Sequence, residues 1–179
     1  MTQHEYVFVA VSIILGLAIT RLLHTVAMLI RAHRLVTFHW STAVWGLCVM
    51  AYILQMWWVG WGLRQITVWS FSDFLVLVSG SICVYGAAEM AMPVPEEKKL
   101  DFLHHSEHLG RLSALSMLAY FMVGPYVNLT MLGTPLLPAL ALPLLGIVLT
   151  ALIIARPGWF KVLAVLFAGY TLLILYLTA

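Results

Sequence analysis

The chain has 179 residues, of which 63% are hydrophobic and only 9% charged, and its formal net charge is +2. A mean hydropathy of +1.01 lies far outside the range of soluble domains and excludes a water-soluble globular protein. A bilayer core needs about 20 consecutive apolar helical residues, and runs of that length take up nearly the whole sequence, leaving no room for a separate soluble domain.

The first run, Tyr6 to Ile30, lacks a basic leader and an A-x-A-like cleavage site and carries Arg21 and His24 inside it, so it reads as a retained helix and not as a signal peptide. The second runs from Trp40 to Leu63. The third, Phe71 to Met92, is preceded by Ser70, which with Asp73 resembles an N-terminal capping box. Its small residues, Ser79-Gly80-Ser81 and Gly86-Ala87-Ala88, let neighbouring backbones approach and predict a central helix. The link from Pro93 to Asp101 is the most polar stretch and leads through two prolines into an interfacial turn. A fourth run, Leu109 to Thr130, is followed by the tight turn Gly133-Thr134-Pro135 and a fifth, Thr134 to Ile154, in which Pro138 and Pro143 disturb the hydrogen-bond ladder. Pro157-Gly158 turns the chain into the sixth, Gly158 to Thr178.

The predicted fold class is an all-α integral membrane protein, a single transmembrane domain over residues 1–179. The last two helices have ionisable residues only at their shared turn, whereas helices one, three and four carry Arg21, His24, Glu89, Glu107, His108 and Arg111. The architecture therefore reads as a four-helix, polar-cored part plus an apolar C-terminal hairpin. Connections are short, so sequence neighbours are expected to be antiparallel and in contact. An inverted repeat of three helices is hinted at only by Arg21-Leu22 and Arg111-Leu112, too short a match to build on.

Basic residues set the orientation. Arg31, Arg34, Lys98, Lys99, Arg156 and Lys161 flank one set of helix ends and only Arg64 the other, which by the positive-inside rule puts both termini outside the cytoplasm of a bacterial-type inner membrane. The positive charge is thus a topological signal and not a nucleic-acid footprint. Trp57, Trp58, Trp61 and Trp69 at one boundary, with Trp40 and Trp159 at the other, suit an interfacial aromatic belt. Cys48 and Cys83 lie inside helices two and three in no C-x-x-C arrangement and read as packing residues.

Depth groups the polar residues. At about 1.5 Å per residue, Arg21, His24, Glu89, Glu107, His108 and Arg111 all fall toward the cytoplasmic ends of their helices. An intramembrane charge costs roughly 2.5 to 3.5 kcal/mol on insertion scales and usually finds a partner. Arg21 is expected to pair with Glu89, Glu107 being the competitor. His104 and His108, four apart, share a helical face, so with His24 they form a candidate metal or haem site, although His105 stands where H-E-x-x-H would place a glutamate. In the outer half Gln55 and Asn128 are the only amides, which leaves that half poor in groups able to line water and counts against a monomeric pore.

Three function classes follow. The first is a non-catalytic membrane subunit or scaffold, a homo-oligomer or part of a larger membrane complex, docking through Ala164, Ala168 and Gly169 on the hairpin. The second is a channel or carrier using Arg21, His24 and Glu89. The third is a metal- or haem-dependent redox protein using His104, His108 and His24. The lipid bilayer is the one partner expected throughout, and no nucleic acid is.

Overall fold

The computed structural model describes residues 2–34, 36–94, 100–101 and 110–178. Among these residues there are six helices long and apolar enough to cross a membrane, the architecture of a multi-pass membrane protein. Helix α1 spans Gln3–Arg31 and begins ahead of its apolar run because Thr2 and Glu5 form a capping box: Glu5 N donates to Thr2 Oγ1 at 3.2 Å and Thr2 N to Glu5 Oε2 at 2.7 Å. Helix α2 spans Trp40–Gly62 and tightens into a 3-10 turn over Leu63–Gln65. Helix α3, Phe71–Met90, starts on the reciprocal Ser70 and Asp73 bonds, 3.1 and 2.8 Å.

Helix α4 is the irregular one. Its span Gly110–Met131 is α-helical to Phe121, resumes over Val123–Tyr126 and ends as a π turn, Val127–Met131. Pro125 has no N–H to donate to the preceding turn, and the change of helix type brackets it. Helix α5, Leu136–Ala155, holds Pro143 in its interior, while Pro138 sits in the first turn, where an N–H would be unpaired anyway. After a 3-10 turn at Pro157–Trp159, helix α6 runs from Phe160 to Thr178.

Sequence neighbours pack together, and the last helix returns to the second. Helix α2 packs most extensively on α6, and α3 on both α1 and α4; α4 continues to α5 and α5 to α6, while α2 also touches α3. Helices α2 to α6 thereby close a ring, and α1 lies on the outside of the α2–α3 seam. Its buried residues, Val7, Val11, Leu15, Ala18, Leu22, Thr25 and Leu29, recur every three or four positions and form one stripe. A helix that buries a single stripe touches protein on one side only. The apolar hairpin is no appendage but two walls of the ring, α6 against α2 and α5 against α4.

The helix ends fall into two groups. The terminal end holds both termini, the α2–α3 loop and the α4–α5 turn; the basic end holds the other connections. There Val36–Thr37, strand β1, pairs in parallel with Leu100–Asp101, strand β2, tying the α1–α2 connection to the one after α3.

Candidate functional site

The ring is filled toward the basic end and hollow toward the terminal end. Trp45 on α2, 1% exposed, packs against Phe167 of α6 with the rings tilted and 4.8 Å between centroids, and edge-on to Phe160 at 6.3 Å. Tyr52 and Phe121 continue the column above Phe167 at 5.8 and 6.1 Å, and meet each other edge to face at 5.1 Å. A buried polar relay pins three helices at this level: Trp45 Nε1 donates to Ser113 Oγ at 2.9 Å, and Ser113 Oγ donates to the Ala87 carbonyl at 2.8 Å. Each donor is matched to an acceptor, as a site without water requires.

Above Tyr52, Phe121 and Tyr170 the middle of the ring opens into a cavity of about 250 Å³. Every helix contributes to its wall, from Phe8 of α1 and Leu77 of α3 to Tyr170 of α6, and Leu63, Leu132 and Thr178 line it at the terminal end. Among the described residues no Asp, Glu, Lys, Arg or His lines it. Its side-chain amides are Gln55 and Asn128.

Proline explains the place of Asn128. Pro143 lacks the N–H that would cap the carbonyl of Ala139 one turn earlier, and Ala139 is wholly buried. Asn128 Nδ2 reaches across from α4 and donates to that carbonyl at 3.1 Å. The neighbouring Leu142 carbonyl accepts from Tyr170 Oη at 2.8 Å. Close approach makes both contacts feasible: a Cβ on Gly124 would stand 3.0 Å from Pro143 Cγ, and one on Gly146 would collide with the Tyr170 hydroxyl at 2.7 Å and with Phe121 at 2.9 Å. Gln55 is held differently, by Tyr120 Oη donating to its Oε1 at 3.0 Å.

The terminal end is laced by further cross-helix bonds. His4 Nε2 lies 2.9 Å from the Gly60 carbonyl, Trp58 Nε1 donates to the Thr178 carbonyl at 2.9 Å, and Tyr126 Oη donates to Asp73 Oδ1 at 2.9 Å. Trp69 turns inward, packing edge-on to Phe8 and donating to the Ile66 carbonyl at 3.0 Å, while Trp57, Trp58, Trp61, Trp40 and Trp159 are exposed as interfacial rings are.

Other residues singled out by the sequence are scattered. Arg21 Nη2 lies 2.7 Å from Glu89 Oε1, the two side chains 32% and 36% exposed, at the α1–α3 contact and outside the ring. His24 and Arg111 are exposed on α1 and α4. Glu107, His104 and His108 lie outside the described residues, and among the described residues no three His, Cys, Asp or Glu side chains gather as a metal site. Ala164 is fully buried in the ring, Ala168 partly buried and Gly169 exposed, so the three do not share one outward face. Cys48 is buried and Cys83 partly so, both as free thiols.

What sequence reading missed is the cavity. Gln55, Tyr120, Asn128 and Tyr170 come from three helices and are up to 115 positions apart (170 minus 55), so no spacing announces them. The one signal available was a pair of amides in an otherwise apolar half. No protein-family model, curated protein or solved structure matches the chain.

Proposed function

We propose that this membrane protein binds a small, mostly apolar solute in the terminal-end cavity and belongs to the carrier class, the terminal end facing away from the cytoplasm. The observation that carries the reading is the cavity itself: about 250 Å³ of space in the middle of a closed ring, apolar in its walls and furnished with two amides. Ligand sites have this composition, apolar surface with a few placed polar groups, and bundle interiors are a usual location for them. A helix bundle with no use for a void would lose packing by keeping one.

Access from one side follows from the aromatic column, which blocks the ring below Tyr52. The excess of Lys and Arg on the opposite side favours the outward orientation of the open end. The irregular segments sit beside the cavity, since Gly124, Val127 and Pro143 all line it. Broken helices at a central site are the usual moving parts of carriers.

The scaffold reading relies on an outward small-residue face, and Ala164 points into the ring. A metal or haem reading relies on His104 and His108, which lie outside the described residues, with His24, exposed on α1, as a third ligand. Neither has support comparable to the cavity.

Native mass spectrometry of protein extracted in lipid nanodiscs tests the proposal. A small non-lipid molecule should remain with the native chain and be lost from Val59→Phe or Val123→Phe, which enlarge side chains on the cavity wall. Retention of the same occupant by both filled variants, or phospholipid as the sole occupant of the native chain, would overturn it.

A further inference from the structure

We infer that the occupant is a neutral, ring-bearing molecule whose polar group is a hydrogen-bond acceptor, a carbonyl above all, received by the amide nitrogen of Gln55; the inference rests on the cavity being a solute site. Three observations converge on that class.

Charge is excluded first. An ionised ligand would leave water or the headgroups for a wall that, among the described residues, has no carboxylate, ammonium, guanidinium or imidazole, and an unpaired charge in such surroundings is strongly disfavoured.

Size and shape come next. An apolar cavity of about 150 Å³ accommodates benzene, so about 250 Å³ holds a ring with substituents. Tyr52, Tyr120, Phe121 and Tyr170 surround the inner part of the space, and aromatic walls favour a flat partner that meets them stacked or edge to face.

The hydrogen-bond inventory then selects the polar group. Tyr170 Oη donates to the Leu142 carbonyl, Asn128 Nδ2 to the Ala139 carbonyl and Thr178 Oγ1 to the Ile174 carbonyl, so these donors are engaged. Tyr52 lines the cavity, but its Oη is buried with less than 1 Å² accessible, so that hydroxyl is not presented to an occupant. Tyr120 Oη donates to Gln55 Oε1 at 3.0 Å, which occupies the acceptor end of that amide and orients it. The Gln55 amide nitrogen, with two N–H donors, has no partner among the described residues, and Gln55 is only partly buried although it lines the cavity. A hydrocarbon in the cavity would leave those donors unmatched, whereas a carbonyl satisfies one and gives the site its discrimination. Gln55 is thus the ligand-contacting residue and Tyr120 the residue that positions it.

A matched pair of probes tests this. Para-fluoroacetophenone and para-fluoroethylbenzene share ring and carbon skeleton and differ in the carbonyl oxygen. Their binding is read by fluorine NMR on the full chain in lipid nanodiscs, with empty nanodiscs subtracted. The ketone should bind the native protein about tenfold more tightly, the worth of one hydrogen bond. Gln55→Leu, and independently Gln55→Met, should bring the ratio close to one while leaving the hydrocarbon bound. Tyr120→Phe should lower the ratio part of the way, because the amide loses its anchor. Equal binding of both probes to the native protein, or a tenfold preference that survives loss of Gln55, would overturn the carbonyl assignment; if Val123→Phe still excluded both probes, the cavity reading would stand. Binding of neither probe would overturn both.

Discussion

The same ring of helices is closed in two different ways along its length. Toward the basic end the interior is a solid column, Phe160, Trp45 and Phe167, held by the Trp45–Ser113–Ala87 relay, and the seams beside it are made of Ala87, Ala88, Ala91 and Ala114. Small seam residues let the helices approach until one large aromatic per layer fills the middle. Toward the terminal end Pro125 and Pro143 interrupt the two helices that face each other there, and space remains between the walls. Lipid supplies no hydrophobic force between helices, so a bundle is held by packing and hydrogen bonds. The filled end does its holding by packing around one buried relay. At the hollow end that task passes to hydrogen bonds: Asn128 to Ala139, Tyr170 to Leu142, Tyr126 to Asp73, His4 to Gly60 and Trp58 to Thr178.

That division can be broken most visibly at Trp45. Trp45→Ala removes the largest fully buried side chain and one arm of the relay, and should destabilise the protein by about 3 kcal/mol. Reversible unfolding in mixed micelles measures it; a loss below about 1 kcal/mol, the scale of one hydrogen bond, would mean that the column does not hold the basic end.

The hollow end offers a sharper experiment. Asn128→Leu strips the partner from a buried carbonyl and should cost about 2 kcal/mol. Pro143→Ala restores the N–H that the Ala139 carbonyl lacks, so the double variant should regain most of that loss. Additive effects of Asn128→Leu and Pro143→Ala in the same unfolding assay would show that the amide and the proline are independent.

Smaller again is the effect expected outside the ring. Arg21→Ala leaves the Glu89 carboxylate without its 2.7 Å partner, but both side chains are about a third exposed, so the cost should be about 1 kcal/mol and Glu89→Gln should recover part of it. A double-variant cycle with no coupling would assign Arg21 to the headgroups instead.

The least cost belongs to the cavity wall. Val123 already borders empty space, so Val123→Ala should destabilise by well under 1 kcal/mol while weakening probe binding. Loss of stability on the scale of Trp45→Ala would show that the cavity closes and packs in the membrane.

Much of the frame was legible before folding. Membrane spans follow from composition and length, because a bilayer demands about 20 apolar residues whatever the neighbours, and the Ser70–Asp73 cap is a local device readable from its spacing. Arg21 and Glu89 fall at one depth by counting along helices of known rise, and in the folded chain they touch. Prolines in helix five announced a disturbed ladder, although only Pro143 lies where an N–H is missed.

Depth is a one-dimensional coordinate, and tertiary structure supplied the other two. Ring order put α2 beside α6 and α1 outside, a choice made by how small and large side chains interlock across helices far apart in sequence. It turned Ala164 inward, left His24 exposed, and brought Gln55, Tyr120, Asn128 and Tyr170 around one space. Hydropathy determines how far along the membrane normal a residue sits, because each helix rises uniformly through an apolar slab. Which residues share a face is decided by packing between helices, and that is where the candidate site arises.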